Sequence, residues 1–246
     1  MPFTVSHAAA VLPLRLRWLS ASALVIGAMT PDLPLFAPFL LYSTDVTHTV
    51  FAAVVTNTAV GLCLFVIWHG FFARPADWFA PSGIRARLAP QQRPGLRVRL
   101  ASTGQFLGVL ASLFIGGLTH QFLDWFTHSG TPVTSRFPVF SAEILGMPLY
   151  YGLQIGLSVL GLLLLGLWAV RWYQHSATYP LERQPSALGK VAARGTVVGG
   201  AVAATFAAGS LLGGSLFAMS VAPVVAAALA SILVALVWHA SPRPLR

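Results

Sequence analysis

Charge is what this chain has least of. Of its 246 residues, 15 are Lys or Arg and 6 are Asp or Glu, so 9% are charged against 56% hydrophobic. A water-soluble domain carries about a quarter charged residues, so this balance excludes one. It also excludes a soluble basic nucleic-acid-binding domain, although the net charge is +9. Cysteine is almost missing as well. Cys63, the single one, rules out an intrachain disulfide and says nothing about the redox compartment. No internal repeat is evident.

The chain is instead rich in long apolar runs. Residues 50–72, 104–127, 149–172, 191–213 and 216–238 each approach the ~20 residues that a bilayer core requires. Small residues four apart (Gly104/Gly108, Gly152/Gly156, Gly195/Gly199, Gly209/Gly213) are of the kind that lets helices approach closely in lipid. The apolar stretch 20–29 is too short to span and is broken by Thr30-Pro31-Asp32-Leu33-Pro34. With Arg15 and Arg17 before it, this segment could be a signal peptide. No small-x-small cleavage site follows, and a re-entrant or half-membrane helical hairpin fits better. Thr4 or Ser6 is placed to cap a short helix with His7 in its first turn. The expected fold is all-α: a polytopic transmembrane bundle of five spans plus the N-terminal hairpin. It forms one membrane domain over 1–246, with hairpin and outer segment 1–48, core spans 50–172 and scaffold spans 191–239.

The loops give orientation. Residues 74–99 hold six Arg against Asp77 alone, 171–194 hold Arg171, Arg183, Lys190 and Arg194 against Glu182, and the tail carries Arg243 and Arg246. All three fall on one side if five spans alternate, and positive charge marks that side as cytoplasmic. The expected location is a bacterial plasma membrane with a cytoplasmic C-terminus. The segments before residue 50 and between 128 and 148 then lie outside, although Arg15 and Arg17 leave the side of His7 open.

Against this background one stretch stands out. Residues 117–130, Gly-Leu-Thr-His-Gln-Phe-Leu-Asp-Trp-Phe-Thr-His-Ser-Gly, place His120, Asp124 and His128 at spacings of four, on one face of a helix. An aspartate at the centre of a membrane helix costs roughly 2.5–3.5 kcal/mol, and His-x-x-x-Asp on one face is a geometry that divalent metals use. Four of the six acids (Asp32, Asp45, Asp124 and Glu143) fall on the same expected side as these histidines and His48. The candidate metal ligands are His7, Asp32, His48, His120 and Asp124. Asp45, His128 and Glu143 are candidates for catalytic or supporting roles. Imidazole and carboxylate donors suit a divalent metal, zinc by preference, with manganese or iron as alternatives. A leftover carboxylate is suited to orient water or act as a general base. Five ligands serve one ion with a spare, or two.

Simpler readings cover the remaining polar groups. A membrane histidine commonly makes an interhelical hydrogen bond, so His69 and His239 read as interfacial and His175 as solvated. Asp77 and Glu182 read as loop charges beside arginines. Trp125, Trp168, Trp172 and Trp238 read as interface anchors.

The segments Met1-Pro-Phe-Thr-Val-Ser-His7, Gly27-Ala-Met-Thr-Pro-Asp32-Leu-Pro, Thr47-His48-Thr and Leu118-Thr-His120-Gln-Phe-Leu-Asp124-Trp-Phe-Thr-His128 resemble an uncharacterised bacterial membrane family, domain of unknown function 4184, over most of the chain. More distantly, the order His, Pro-Asp, Thr-His, His-x-x-x-Asp resembles the inner-membrane metal-dependent hydrolases, related by motif to zinc-dependent phospholipase C. That resemblance implies ligand roles for His7, Asp32, His48, His120 and Asp124. It departs at Asp45-Val-Thr-His48-Thr, where that group has Arg-Gly-x-Thr-His-Ser. The expected function is metal-dependent hydrolysis of a phosphoester or other lipid-borne bond at the outer membrane face, with the bilayer and such a substrate as partners. The alternative is a transporter or scaffold whose His and Asp side chains make interhelical hydrogen bonds or relay protons.

Overall fold

The computed structural model describes residues 4–14, 16–37, 43–88, 94–181, 185–211 and 216–241. Arg15, Arg93, Glu182, Arg183, Gly213, Arg243 and Arg246, used above for orientation and packing, lie outside the described residues. The described chain is mostly helical with one small β-ladder, and five helical stretches are long and apolar enough to cross a membrane: Val50–Phe79, Thr103–Arg136, Leu149–His175, Ala187–Gly209 and Met219–Ala240. This is the all-α polytopic architecture that the hydropathy pattern leads one to expect. The chain divides into two compact units, each described by itself: Met1–Pro34, Phe39–Phe65 and Arg99–His175, and then Leu35–Pro38, Val66–Val98 and Ser176–Arg246.

The axis of the first unit is helix α3 (Thr103–Thr127), with α1 (Ala21–Met29) laid along it. A reciprocal cap starts α3: Ser102 Oγ accepts from the Gln105 amide at 3.2 Å, and Gln105 Oε1 accepts from the Ser102 amide at 3.1 Å. Ser20 caps α1, and its own amide donates to Ser112 Oγ of α3 at 2.8 Å. The two helices touch backbone to backbone. A Cβ on Gly27 would land on the Leu113 carbonyl, and one on Gly116 would meet the Leu24 carbonyl and lie 2.7 Å from the Ala28 nitrogen. Gly108 meets the Trp18 carbonyl in the same way. By contrast, positions 104, 156, 195 and 199 have nothing within 4 Å of a Cβ. Among the described residues, the backbone of α1 and its flank is therefore closely approached, while Gly104, Gly156, Gly195 and Gly199 of the small-residue pairs meet nothing.

Two short pieces complete the surroundings of α3. The N-terminal segment Thr4–Val11 is a 3₁₀ helix that carries His7, as a short helix was expected to, but Thr4 spends its hydroxyl on Asp32 rather than on a cap. It docks on α4 (Leu149–His175), where a Cβ on Gly161 would lie 2.8 Å from the Ser6 carbonyl. Val11 joins Leu24 and Ala28 in a small buried apolar cluster. The first span is not one straight helix. Val50–Val54 is capped by Thr49, the chain turns at Val55, and α2 (Thr56–Ile67) follows.

Ahead of α4 lies a hairpin of β1 (Glu143–Ile144) and β2 (Met147–Pro148), with Ile144 opposite Met147. Its turn residues Leu145 and Gly146 both have positive φ, 55° and 78°. This is the pattern of a tight I′ hairpin turn. For a leucine, left-handed backbone costs about 1 kcal/mol.

In the second unit, α5 (Ala187–Leu211) and α6 (Leu216–Ala240) pack along one another. Its other part continues from α2 through a π-helical turn, Trp68–Phe72, into Ala73–Phe79. Pro75 has no amide hydrogen to give the Phe71 carbonyl four residues back. That carbonyl instead accepts from His239 Nε2 at 3.0 Å, with the Phe71 and His239 rings stacked 5.0 Å apart. His239 thus satisfies a backbone group that proline orphans. Trp238, expected at the interface, is buried at 8% exposure.

Candidate metal centre

Four separate pieces of backbone deliver the cluster: the 3₁₀ helix with His7, the turn Thr30–Asp32 after α1, the short helix Thr44–Thr47 ending at His48, and the last two turns of α3 with His120 and Asp124. The five side chains expected as ligands converge. His7, Asp32, His120 and Asp124 are all at or below 5% exposure, and the His48 side chain is at 26%.

The imidazoles are locked from behind. His120 Nδ1 donates to the Ala28 carbonyl at 2.8 Å, and His48 Nδ1 donates to the Thr44 carbonyl at 2.8 Å. A carbonyl only accepts, so Nδ1 carries the proton in each ring and the neutral Nε2 is a bare lone pair. Those two Nε2 atoms are 3.3 Å apart. Each is 3.2 Å from Asp124 Oδ2, and they lie 3.5 and 3.6 Å from Asp32 Oδ1. With both rings neutral, these nitrogens and carboxylate oxygens have no hydrogen to share among them. Among the described residues, every ion-pair partner of Asp32 and Asp124 is a histidine. Two buried carboxylates without a permanent cation cost several kcal/mol each. A cation removes that cost.

The spacing of one trio suits three ligands of a metal ion. Zinc binds N and O donors at about 2.0–2.1 Å, which sets the edge of the donor tetrahedron at about 3.3–3.4 Å. His48 Nε2, His120 Nε2 and Asp124 Oδ2 lie 3.2–3.3 Å apart, at that edge, and Asp32 Oδ1 lies 3.5–3.6 Å from the two nitrogens. Without metal, one proton does the same work less well. Burial opposes charging His48, but hydrogen bonds to Asp124 and Asp32 outweigh it and push its pKa up to about 10.

Asp124 serves both sides of the cluster. Its Oδ1 is 3.6 Å from His7 Nε2 and 3.4 Å from His128 Nδ1. The His7 ring stacks on His120 at 3.8 Å, and neither of its nitrogens has a hydrogen bond. Burial, reinforced by neighbouring His120, pushes its pKa down to about 4, against the pull of Asp124 and Asp32. His7 is thus held neutral with donor atoms to spare. His7–Asp32–His120 and His48–His120–Asp124 each form a group able to hold an ion.

His128 ends α3, its side chain 34% exposed and its Nε2 3.4 Å from Gln154 Nε2 of α4. It lies between the buried donors and solvent. Asp45 and Glu143 stay outside: both are exposed, Asp45 on the open side of its helical turn and Glu143 on β1.

The groups that hold the ligands were not singled out from sequence. Thr4 Oγ1 donates to Asp32 Oδ2 at 2.6 Å, and Thr47 Oγ1 donates to the Pro31 carbonyl at 2.7 Å. Asn57 Nδ2 donates to the Thr47 carbonyl at 2.7 Å, and Gln121 Nε2 to the Thr49 carbonyl at 2.7 Å. The two amides clamp the backbone on either side of His48. Their signal was available: an uncharged amide inside an apolar run needs a partner. Gln121→Leu is expected to orphan the Thr49 carbonyl, lower stability by about 1–3 kcal/mol and weaken metal binding about 10–100-fold. Thermal unfolding and metal titration of the purified variant check both.

The family model described as domain of unknown function (DUF4184) matches residues 1–241. The chain belongs to this family. No curated protein and no solved structure matches it. Family membership therefore brings no activity with it, and what this member of the family does has to be read from the cluster itself.

Proposed function

We propose that this protein is a membrane-embedded, divalent-metal-dependent hydrolase acting on a phosphoester or other lipid-borne bond at the outer membrane face. The observation that carries the reading is the meeting of His48 Nε2, His120 Nε2 and Asp124 Oδ2 at metal-ligand spacing, with Asp32 Oδ1 3.5–3.6 Å from the two nitrogens. Zinc is the preferred ion on donor type and edge length, with manganese or iron as alternatives. A divalent ion there supplies Lewis acidity toward a phosphoryl or carbonyl oxygen and makes water acidic enough to react near neutral pH.

The chain supplies the rest. The Ala28 and Thr44 carbonyls fix the two imidazoles in the Nδ1–H tautomer, so their donor atoms are aimed before any ligand arrives. His128 is placed at the mouth, within reach of both Asp124 and solvent, to take or return a proton. Gln154 limits the swing of that ring from the α4 side. Burial of Asp32, His120 and Asp124 confines substrate to the His48 and His128 side. The positive-inside pattern of the loops supports the outer orientation.

A transport pathway would ask for ionisable groups through the depth of the bundle. Among the described residues the only buried ionisable side chain apart from the cluster is Arg85, in the second unit.

The test is a phosphoesterase screen of the protein reconstituted in lipid, metal-loaded against chelator-treated, on soluble aryl phosphates and on phospholipids. Turnover that chelation abolishes and added zinc or manganese restores is expected. A metal-loaded protein inert toward every ester class would leave binding without hydrolysis and sink the enzyme reading.

A further inference from the structure

We propose that the β1–β2 hairpin is an interfacial anchor, its Leu145 tip seated in the lipid leaflet on the side of the histidine–aspartate cluster. The hairpin lies at that end of the first unit. The Leu149 amide, at the start of α4, donates to the Ala142 carbonyl at 3.0 Å. The Phe140 ring sits 6.0 Å from that of Phe126, two residues before His128. Both helices it touches belong to stretches apolar enough to span a bilayer, so the hairpin stands where such spans leave the hydrocarbon.

Its composition is wrong for water. From Phe137 to Tyr151 the only charged residue is Glu143. Leu145 is 95% exposed, and Phe137, Val139 and Ile144 are each about half exposed or more. The turn conformation adds a second argument. A water-facing I′ turn takes Asn, Asp or Gly at positive φ, yet here a leucine holds φ 55° while pointing away from the protein. Nothing in the fold gains from that leucine. A lipid leaflet does, because an apolar tip and its neighbours would leave water on entering it.

The surroundings match the headgroup level. Trp125 and the pair Tyr150 and Tyr151 flank the hairpin at the ends of α3 and α4, the residue types that collect at the membrane boundary. The Arg136 guanidinium lies 5.7 Å over the Phe137 ring, exposed and placed for a lipid phosphate. The proposal depends on α3 and α4 spanning the membrane and not on the hydrolase reading, so either can fail alone.

The test places a nitroxide at the tip. Leu145→Cys, and separately Val139→Cys, are made in a Cys63→Ser background, labelled, and reconstituted in phosphatidylethanolamine–phosphatidylglycerol vesicles. Collision with dissolved oxygen, which concentrates in lipid, is compared with collision with a water-soluble nickel chelate. Oxygen dominating at both positions is the expected result. Chelate dominating would put the tip in water and overturn the proposal. An immobile label shielded from both reagents would overturn it in favour of a protein partner. Both side chains are exposed, so neither substitution touches the packed interior.

Discussion

Asp124→Asn is expected to purify folded and without its metal. The substitution keeps the shape of the side chain but removes the charge, and it replaces an acceptor with an amide group. Asp124 faces His48 and His120 with one oxygen and His7 and His128 with the other. Both halves of the cluster lose their shared donor together. Loss of an outer hydrogen-bond partner alone weakens metal sites about 10–100-fold, so loss of this ligand should exceed that range. Mass spectrometry of the detergent-purified protein should find one or two ions per chain in the wild type and fewer than one in the variant. Thermal unfolding gives an independent reading. At metal about 100-fold above its dissociation constant the wild type should gain about 2.7 kcal/mol, and Asp124→Asn should gain nothing. A variant that retained stoichiometric metal would show that the donors described here are not the ligands.

Gly116→Ala should be strongly destabilising. The added methyl has no flexible side chain to push aside; it meets the backbone of α1 at Leu24 and Ala28. Overpacking a tight contact costs about 1–3 kcal/mol, and the upper end is expected where backbone must move. The harm should reach the metal as well. Ala28 supplies the carbonyl that orients His120, and Asp32 follows at the end of the same segment. Stability and metal affinity should fall together. Gly156→Ala is the control: a Cβ there has open space, and alanine gains helix propensity of up to about 1 kcal/mol over glycine. Two Gly→Ala changes within one unit should therefore move the unfolding midpoint in opposite directions. Equal effects would show that α1 and α3 are not in backbone contact.

The spans were legible because twenty apolar residues in a row admit few structures. The cluster was legible for a related reason: His48, His120 and Asp124 are expensive where they stand, and expense in an apolar segment marks use. Whether His7 joins the cluster was not legible, because Arg15 and Arg17 left the position of the N-terminal segment open. What decides it is Gly161, whose missing side chain lets the Ser6 carbonyl rest on α4 and carries His7 onto the His120 ring. No local pattern encodes that contact. The same holds for the small-residue pairs. A spacing of four puts two glycines on one face of a helix, but whether another backbone lies against that face is settled by the rest of the chain. Asp45 and Glu143 looked like the other acids from sequence and differ only in where their turns point.

The order of biosynthesis meets this layout in a simple way. The first candidate ligand is residue 7 and the last is residue 124, so the set is complete before α4, α5 and α6 are made. α5 and α6 contribute none of it. Segments that fold as units do so from the N-terminus during synthesis, so the nascent chain can gather these five side chains while α5 and α6 are still unmade.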